Sequence, residues 1–256
     1  MKNGTFTDLL TIDSDTKTSK SVQFGYLTAI QYLAPSDASG DYNTCKHAGM
    51  CRFICLNTSG RLKLTIAEKA QIARTIFMFQ NMQTKYIELL IKEHHKFFRM
   101  ALKRDLISCS RLNGLSDMPY ENIYFKNYDN KNIMEIFNNH IWYDYTKYPY
   151  NERPNEKLPS NYHLTYSYSE KTTQSEFDNL PNRNMAVVFD LCKQNYKAEC
   201  ALTCKCDMVE YWNSYKVIDG DISDLRFLDP SNRIVGLRAK GEARKNPNDF
   251  IVRIGS

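Results

Sequence analysis

The spacing of apolar and polar positions changes along the chain, and each change marks an element. Met1 to Lys20 is rich in Thr, Ser and Asp, shows no period, and predicts a polar N-terminal tail over 1–20. From Ser21 to Leu33 the period is two: Val22, Phe24, Tyr26 and Thr28 alternate with Gln23, Gly25 and Leu27. Pro35-Ser36-Asp37 then ends the predicted strand. Further on the period becomes helical. Thr65 with Glu68 reads as a capping box opening a helix that carries Ile66, Ala70, Ala73, Ile76 and Phe77. A second helix is predicted from Thr84 to Arg104, with Ile87, Leu90, Ile91, Phe97, Phe98 and Ala101 on its inner face.

Beyond Asp105 the pattern shifts to short apolar runs separated by turns. Leu106–Leu112, Ile141–Tyr145, His163–Ser169, Met185–Asp190, Tyr215–Asp219 and Ile234–Lys240 read as strands, with a short helix at Ile133–Asn138. Strand, helix, strand in repetition with apolar strands predicts a parallel α/β sheet, open or closed into a barrel. We expect one α/β domain over 21–256, with a Cys-rich insertion at 192–206 and a Pro- and Asn-rich loop at 148–160.

With 42% hydrophobic and 25% charged residues the chain is globular rather than disordered. The net charge of +5 is spread without a dense basic run, which argues against nucleic acid as the main partner. No apolar stretch approaches a membrane span, and the N-terminus lacks the pattern of a signal peptide. A reducing cytoplasm is therefore expected. There, eight cysteines read as metal ligands or free thiols, not disulfides.

Three of them, Cys45, Cys51 and Cys55, lie within eleven residues, with gaps of five and three. A short loop of this kind can curl three sulfurs around one soft metal centre. Gly40, Gly49 and Gly60 supply backbone freedom to it. Zinc completed by His47 or a distant cysteine, or plain buried thiols, remain open on spacing alone. Cys192, Cys200, Cys204 and Cys206 form a looser group, from which Cys204 or Cys206 is a candidate fourth ligand. Cys109, on a predicted strand, reads as core. Asp219, Asp221 and Asp224 read as an acidic turn, because a calcium loop needs a downstream Glu that is missing.

In parallel α/β folds, working residues sit where strands end. Asn113, Ser116 and Asp117 follow one strand, Asp144 and Lys147 another, and Ser167, Ser169 and Glu170 a third. The first seven are candidate cofactor-binding residues, and Glu170 is the candidate acid or base. A turn-forming role is the alternative for each.

Several separated blocks carry a family resemblance: the cysteine loop with Leu56–Arg61, Arg111–Asp117, Tyr143–Lys147, Asn161–Thr165, Val217–Asp221 and Val235–Gly241. On these the chain resembles the phage "gene product 88" domain family, which implies a viral protein in the cytoplasm of an infected host cell. More distantly, a first strand, a three-cysteine loop and parallel strands with polar ends are similar to radical S-adenosylmethionine enzymes, whose cysteine gaps are three and two. That similarity implies a (β/α) barrel or partial barrel and a [4Fe-4S] cluster on Cys45, Cys51 and Cys55. It also implies S-adenosylmethionine as a second cofactor and an electron donor as partner. A non-catalytic redox sensor and a zinc-stabilised nucleic-acid-binding protein are the alternatives.

Overall fold

A computed structural model describes residues 6–12, 20–56, 62, 64–191, 206–240, 242–245 and 248–254. Ten strands form its sheet: β1 (Leu10–Ile12), β2 (Tyr26–Gln31), β3 (Ile107–Arg111), β4 (Ile141–Thr146), β5 (Tyr162–Ser167), β6 (Met185–Asp190), β7 (Tyr211–Trp212), β8 (Tyr215–Asp219), β9 (Ile234–Arg238) and β10 (Ile251–Arg253). The spatial order is β1-β2-β3-β4-β5-β6-β9-β8-β7. Every pairing from β2 through β8 is parallel, and the two edge pairs, β1 with β2 and β7 with β8, are antiparallel. Among the described residues the edge strands do not meet, so pairing does not close the sheet.

The central strands are rich in β-branched and aromatic residues, and most of their positions are buried. Burial on both faces is the expected state of a parallel sheet. One face is covered by α1 (Thr65–Asn81) and α2 (Ile87–Lys103). α2 buries Ile87, Leu90, His94, Phe97 and Ala101, a stripe at helical spacing, and carries Glu88 in its first turn and Lys103 in its last, which suits its dipole. Leu27, Ala29, Leu112, Trp142 and Leu164 meet this stripe from the sheet to form the main core. On the opposite face Cys109, Tyr143 and Leu225 form a smaller one, so Cys109 is core as expected.

Several boundaries move. Val22–Phe24 is a turn of 3-10 helix, and the first parallel strand starts only after Gly25, whose φ of 83° reverses the chain. The predicted tail contains β1, held by pairing with β2 and by the Glu93 carboxylate, which accepts from the Leu9 and Leu10 amides. The expected Thr65–Glu68 capping box does not form, because Leu64 occupies the capping position and offers no side-chain acceptor. A true box occurs at Asn132–Glu135, opening α3 (Ile133–Ile136). Thr84 lies in a non-helical kink between α1 and α2. The shorter α4 (Gln174–Asp178) and α5 (Glu242–Lys245) complete the helices.

One irregularity shapes the carboxyl edge. β5 pairs with β6 only at Tyr166–Met185 and Ser167–Ala186, and from Val188 onward β10 takes its place. The strands part, and the segment entering β10 lies between them.

Candidate functional site

The cysteine loop leaves β2 at the carboxyl edge and is pinned to its neighbours by the backbone. Thr44 Oγ1 donates to the Ala34 carbonyl at 2.6 Å, and the Asp117 amide donates to the Thr44 carbonyl at 2.8 Å. The second contact ties the loop to the segment after β3. That segment approaches closely because Gly114 has no side chain: its amide donates to the Gln31 carbonyl, and a Cβ there would lie 2.6 Å from that oxygen. Gly40 adopts a φ of 86°, as a tight loop requires. Gly49 is needed for a different reason, since a Cβ would sit 1.9 Å from Glu170 Oε1. Gly60 lies outside the described residues.

Cys45, Cys51 and Cys55 form no disulfide and are half-buried. The Cys45 sulfur receives the Ser36 amide at 3.3 Å, and burial pushes its thiol up to about 11. Among the described residues no three Cys, His, Asp or Glu side chains converge closely enough to hold a metal ion. Cys45 and Cys51 nevertheless share one electrostatic neighbourhood with Lys147, and Cys55 acts on Cys45. Burial lowers the Lys147 ammonium, while Cys51, Asp117, Glu170 and Cys45 pull it back up. Its Nζ donates to Ser167 Oγ at 2.9 Å and lies 4.3 Å from the centre of the Phe250 ring, which the parting of β5 and β6 admits. Glu170 closes the group: Oε1 accepts the Met50 amide at 2.9 Å, and Oε2 is buried with no hydrogen-bond partner among the described residues.

The other predicted residues divide from this group. Asn113, Ser116, Asp117 and Asp144 come together but spend their polar atoms on one another and on loop backbone. Asn113 donates to Asp144 at 3.2 Å, Ser116 donates to Asn113 at 2.8 Å, and Asp117 accepts the Lys147 amide at 2.7 Å. Burial raises Asp144 to about 6 against the pull of Arg111. These residues frame the edge. Ser169 caps a turn, receiving the Lys171 amide.

Sequence reasoning missed the residue that binds this frame together, Arg153. Its guanidinium forks onto Glu121 at 2.6 and 2.8 Å, reaches Asp117 at 3.1 Å and donates to Tyr162 at 3.0 Å, all buried. Lying in the irregular loop after β4, it carries no periodic signal.

His47 is turned to Glu152 at 3.1 Å. Cys192, Cys200 and Cys204 lie outside the described residues. Cys206 is described, and its carbonyl accepts from Arg238. The acidic residues of this segment are ion-paired: Asp219 and Asp221 bind Arg238 at 2.8 and 3.2 Å, and Asp224 binds Arg111 at 2.5 Å. No helix among the described residues is long and apolar enough to cross a membrane.

No curated protein and no solved structure matches the chain. A sequence profile described as Gene product 88 matches residues 8–254, nearly its whole length, and the chain belongs to that family.

Proposed function

We propose that this is a viral iron-sulfur protein in which Cys45, Cys51 and Cys55 hold a [4Fe-4S] cluster at the carboxyl edge of a radical-S-adenosylmethionine-like partial barrel. The observation that carries the reading is the placing of two cysteines of one loop, Cys45 and Cys51, beside the Lys147 ammonium, with Cys55 close enough to act on Cys45. The donor set fits: soft sulfurs close in sequence, with an amide N–H already directed at one of them. The sulfurs must draw together to ligate, and the loop that carries them is tied down chiefly at Thr44 and Met50. A cluster bound there supplies electron transfer and, with S-adenosylmethionine, reductive cleavage of that cofactor. The chain's own contribution is electrostatic and positional. Lys147 sets a positive charge beside Cys45 and Cys51, where the negative charge of a bound cluster would lie. Glu170 fixes the loop through the Met50 amide, and Ser167 orients Lys147.

Anaerobic purification and reconstitution, followed by iron, sulfide and zinc counts with electron paramagnetic resonance, tests this. We expect about four iron and four sulfide per chain, falling sharply in Cys51→Ser. A colourless protein that stays free of iron after reconstitution ends the proposal, and stoichiometric zinc replaces it with the zinc alternative. With the cluster loaded, reduction in the presence of S-adenosylmethionine yields 5′-deoxyadenosine if the enzymatic version holds. Its absence leaves the redox sensor.

A further inference from the structure

Opposite the cysteine edge, between the amino ends of β5 and β6 and the segment leading to β9, lies a cavity of about 300 Å³. Its wall includes Arg183, Arg226, Asn182, Asn184, Phe227 and Ser231. Arg183 is only 4% exposed, yet every hydrogen-bond acceptor it has is neutral. Nε and Nη2 donate to Asn155 Oδ1 at 2.9 and 2.8 Å, and Nη2 also donates to the Arg153 carbonyl. Its Nη1 is buried with no partner among the described residues. Glu176 and Glu156 act on the guanidinium through space but make no hydrogen bond or ion pair with it, and a buried donor left unpaired is costly. Burial and the adjacent Arg153 charge push Arg183 down to about 10, against the opposing pull of Tyr150 and Glu176. Arg226, equally buried, differs in having Asp229 at 3.2 Å. The two arginines and Asp229 leave the wall one positive charge in excess.

We propose that this cavity is a binding site for a phosphate-bearing small molecule, with the Arg183 guanidinium as its principal anion contact. Asparagine and serine donors beside a guanidinium match the several acceptor oxygens of a phosphate. The volume exceeds what a bare phosphate fills, and Phe227 offers an aromatic wall to an attached organic group. The site stands independently of any cluster at the other edge.

Titration calorimetry with inorganic phosphate and with phenyl phosphate, at fixed ionic strength in chloride, tests it on the full chain. Saturable binding is expected, tighter for phenyl phosphate, and at least tenfold weaker in Arg183→Gln. Should that variant fail to fold, Ser231→Asp sets a carboxylate on an exposed part of the wall and is expected to weaken binding as strongly. No saturable binding to the wild-type chain, undiminished affinity in the variants, or acetate binding as well as phosphate overturns the proposal.

Discussion

Acid should unfold this protein through a buried imidazole pair, and the proton positions there follow from geometry. His94 Nδ1 is 2.8 Å from the Leu90 carbonyl, which can only accept, so Nδ1 carries the proton and Nε2 is an acceptor. Nε2 faces Ser110 Oγ at 3.3 Å, so the hydroxyl proton points to it. His140 Nε2, 2.8 Å from the same oxygen, must then donate, leaving His140 Nδ1 to accept from Ser108 at 3.1 Å. Every group in this chain is satisfied only while both rings are neutral. Burial lowers His94 from 6.5 to about 4 and depresses His140 in the same direction. A depressed folded pKa means the unfolded chain binds the extra proton first, so stability is complete above pH 6.5 and is lost as pH falls toward 4. For His94 alone the loss by pH 4 is about 3 kcal/mol, a large share of a typical domain's 5–15. Urea midpoints measured between pH 7 and pH 4 should fall more steeply for the wild-type chain than for His94→Gln, whose amide keeps a donor and an acceptor but cannot titrate. Parallel curves, or an imidazole titrating near 6.5 by nuclear magnetic resonance, would refute the tautomer chain.

Three further outcomes follow from single contacts. Arg153→Met strands Glu121 and Asp117 as uncompensated buried charges and should cost roughly 3–5 kcal/mol by chemical denaturation, with Arg153→Lys recovering little because it cannot fork. Gly114→Ala forces a methyl against the Gln31 carbonyl and should cost about 1–3 kcal/mol, read from the urea midpoint. Gly49→Ala displaces the Glu170 carboxylate and should lower metal loading after reconstitution. That penalty should vanish in a Glu170→Ala background, where the clash has no second partner.

How much of this was legible in the sequence depended on whether the cause was local. β6 and β8 were readable to the residue because β-branched and aromatic residues concentrate in them. β1 was not, since three residues gain their strand geometry only from β2 and from Glu93, more than eighty positions away. Thr65 illustrates the opposite failure: the capping signature was present, but the helix started one residue earlier than that signature needs. At the site, polar residues after strands did mark the carboxyl edge. Their types could not tell Lys147, Ser167 and Glu170, which gather beside Cys45 and Cys51, from Asn113, Ser116 and Asp144, which brace the loops.

The Pro- and Asn-rich loop, whose Arg153 the sequence did not flag, explains why the frame is ionic. A parallel connection from β4 to β5 must return from the carboxyl edge to the amino edge, a task usually given to a helix whose backbone satisfies itself. Here Pro149, Pro154 and Pro159 interrupt the return, and its regular structure is one 3-10 turn at Asn155–Lys157. Such a segment must be held by side chains, and Arg153, with five donors in a fixed fork, does so from the middle. Its guanidinium reaches Asp117, whose amide binds the Thr44 carbonyl beside Cys45, while its own carbonyl accepts from Arg183 at the cavity wall. The cysteine loop and the amino-edge cavity are therefore joined through one residue. Arg153 substitutions should disturb both ends together, whereas changes confined to Cys51 or Ser231 should each disturb one, and that contrast separates the frame from the sites it supports.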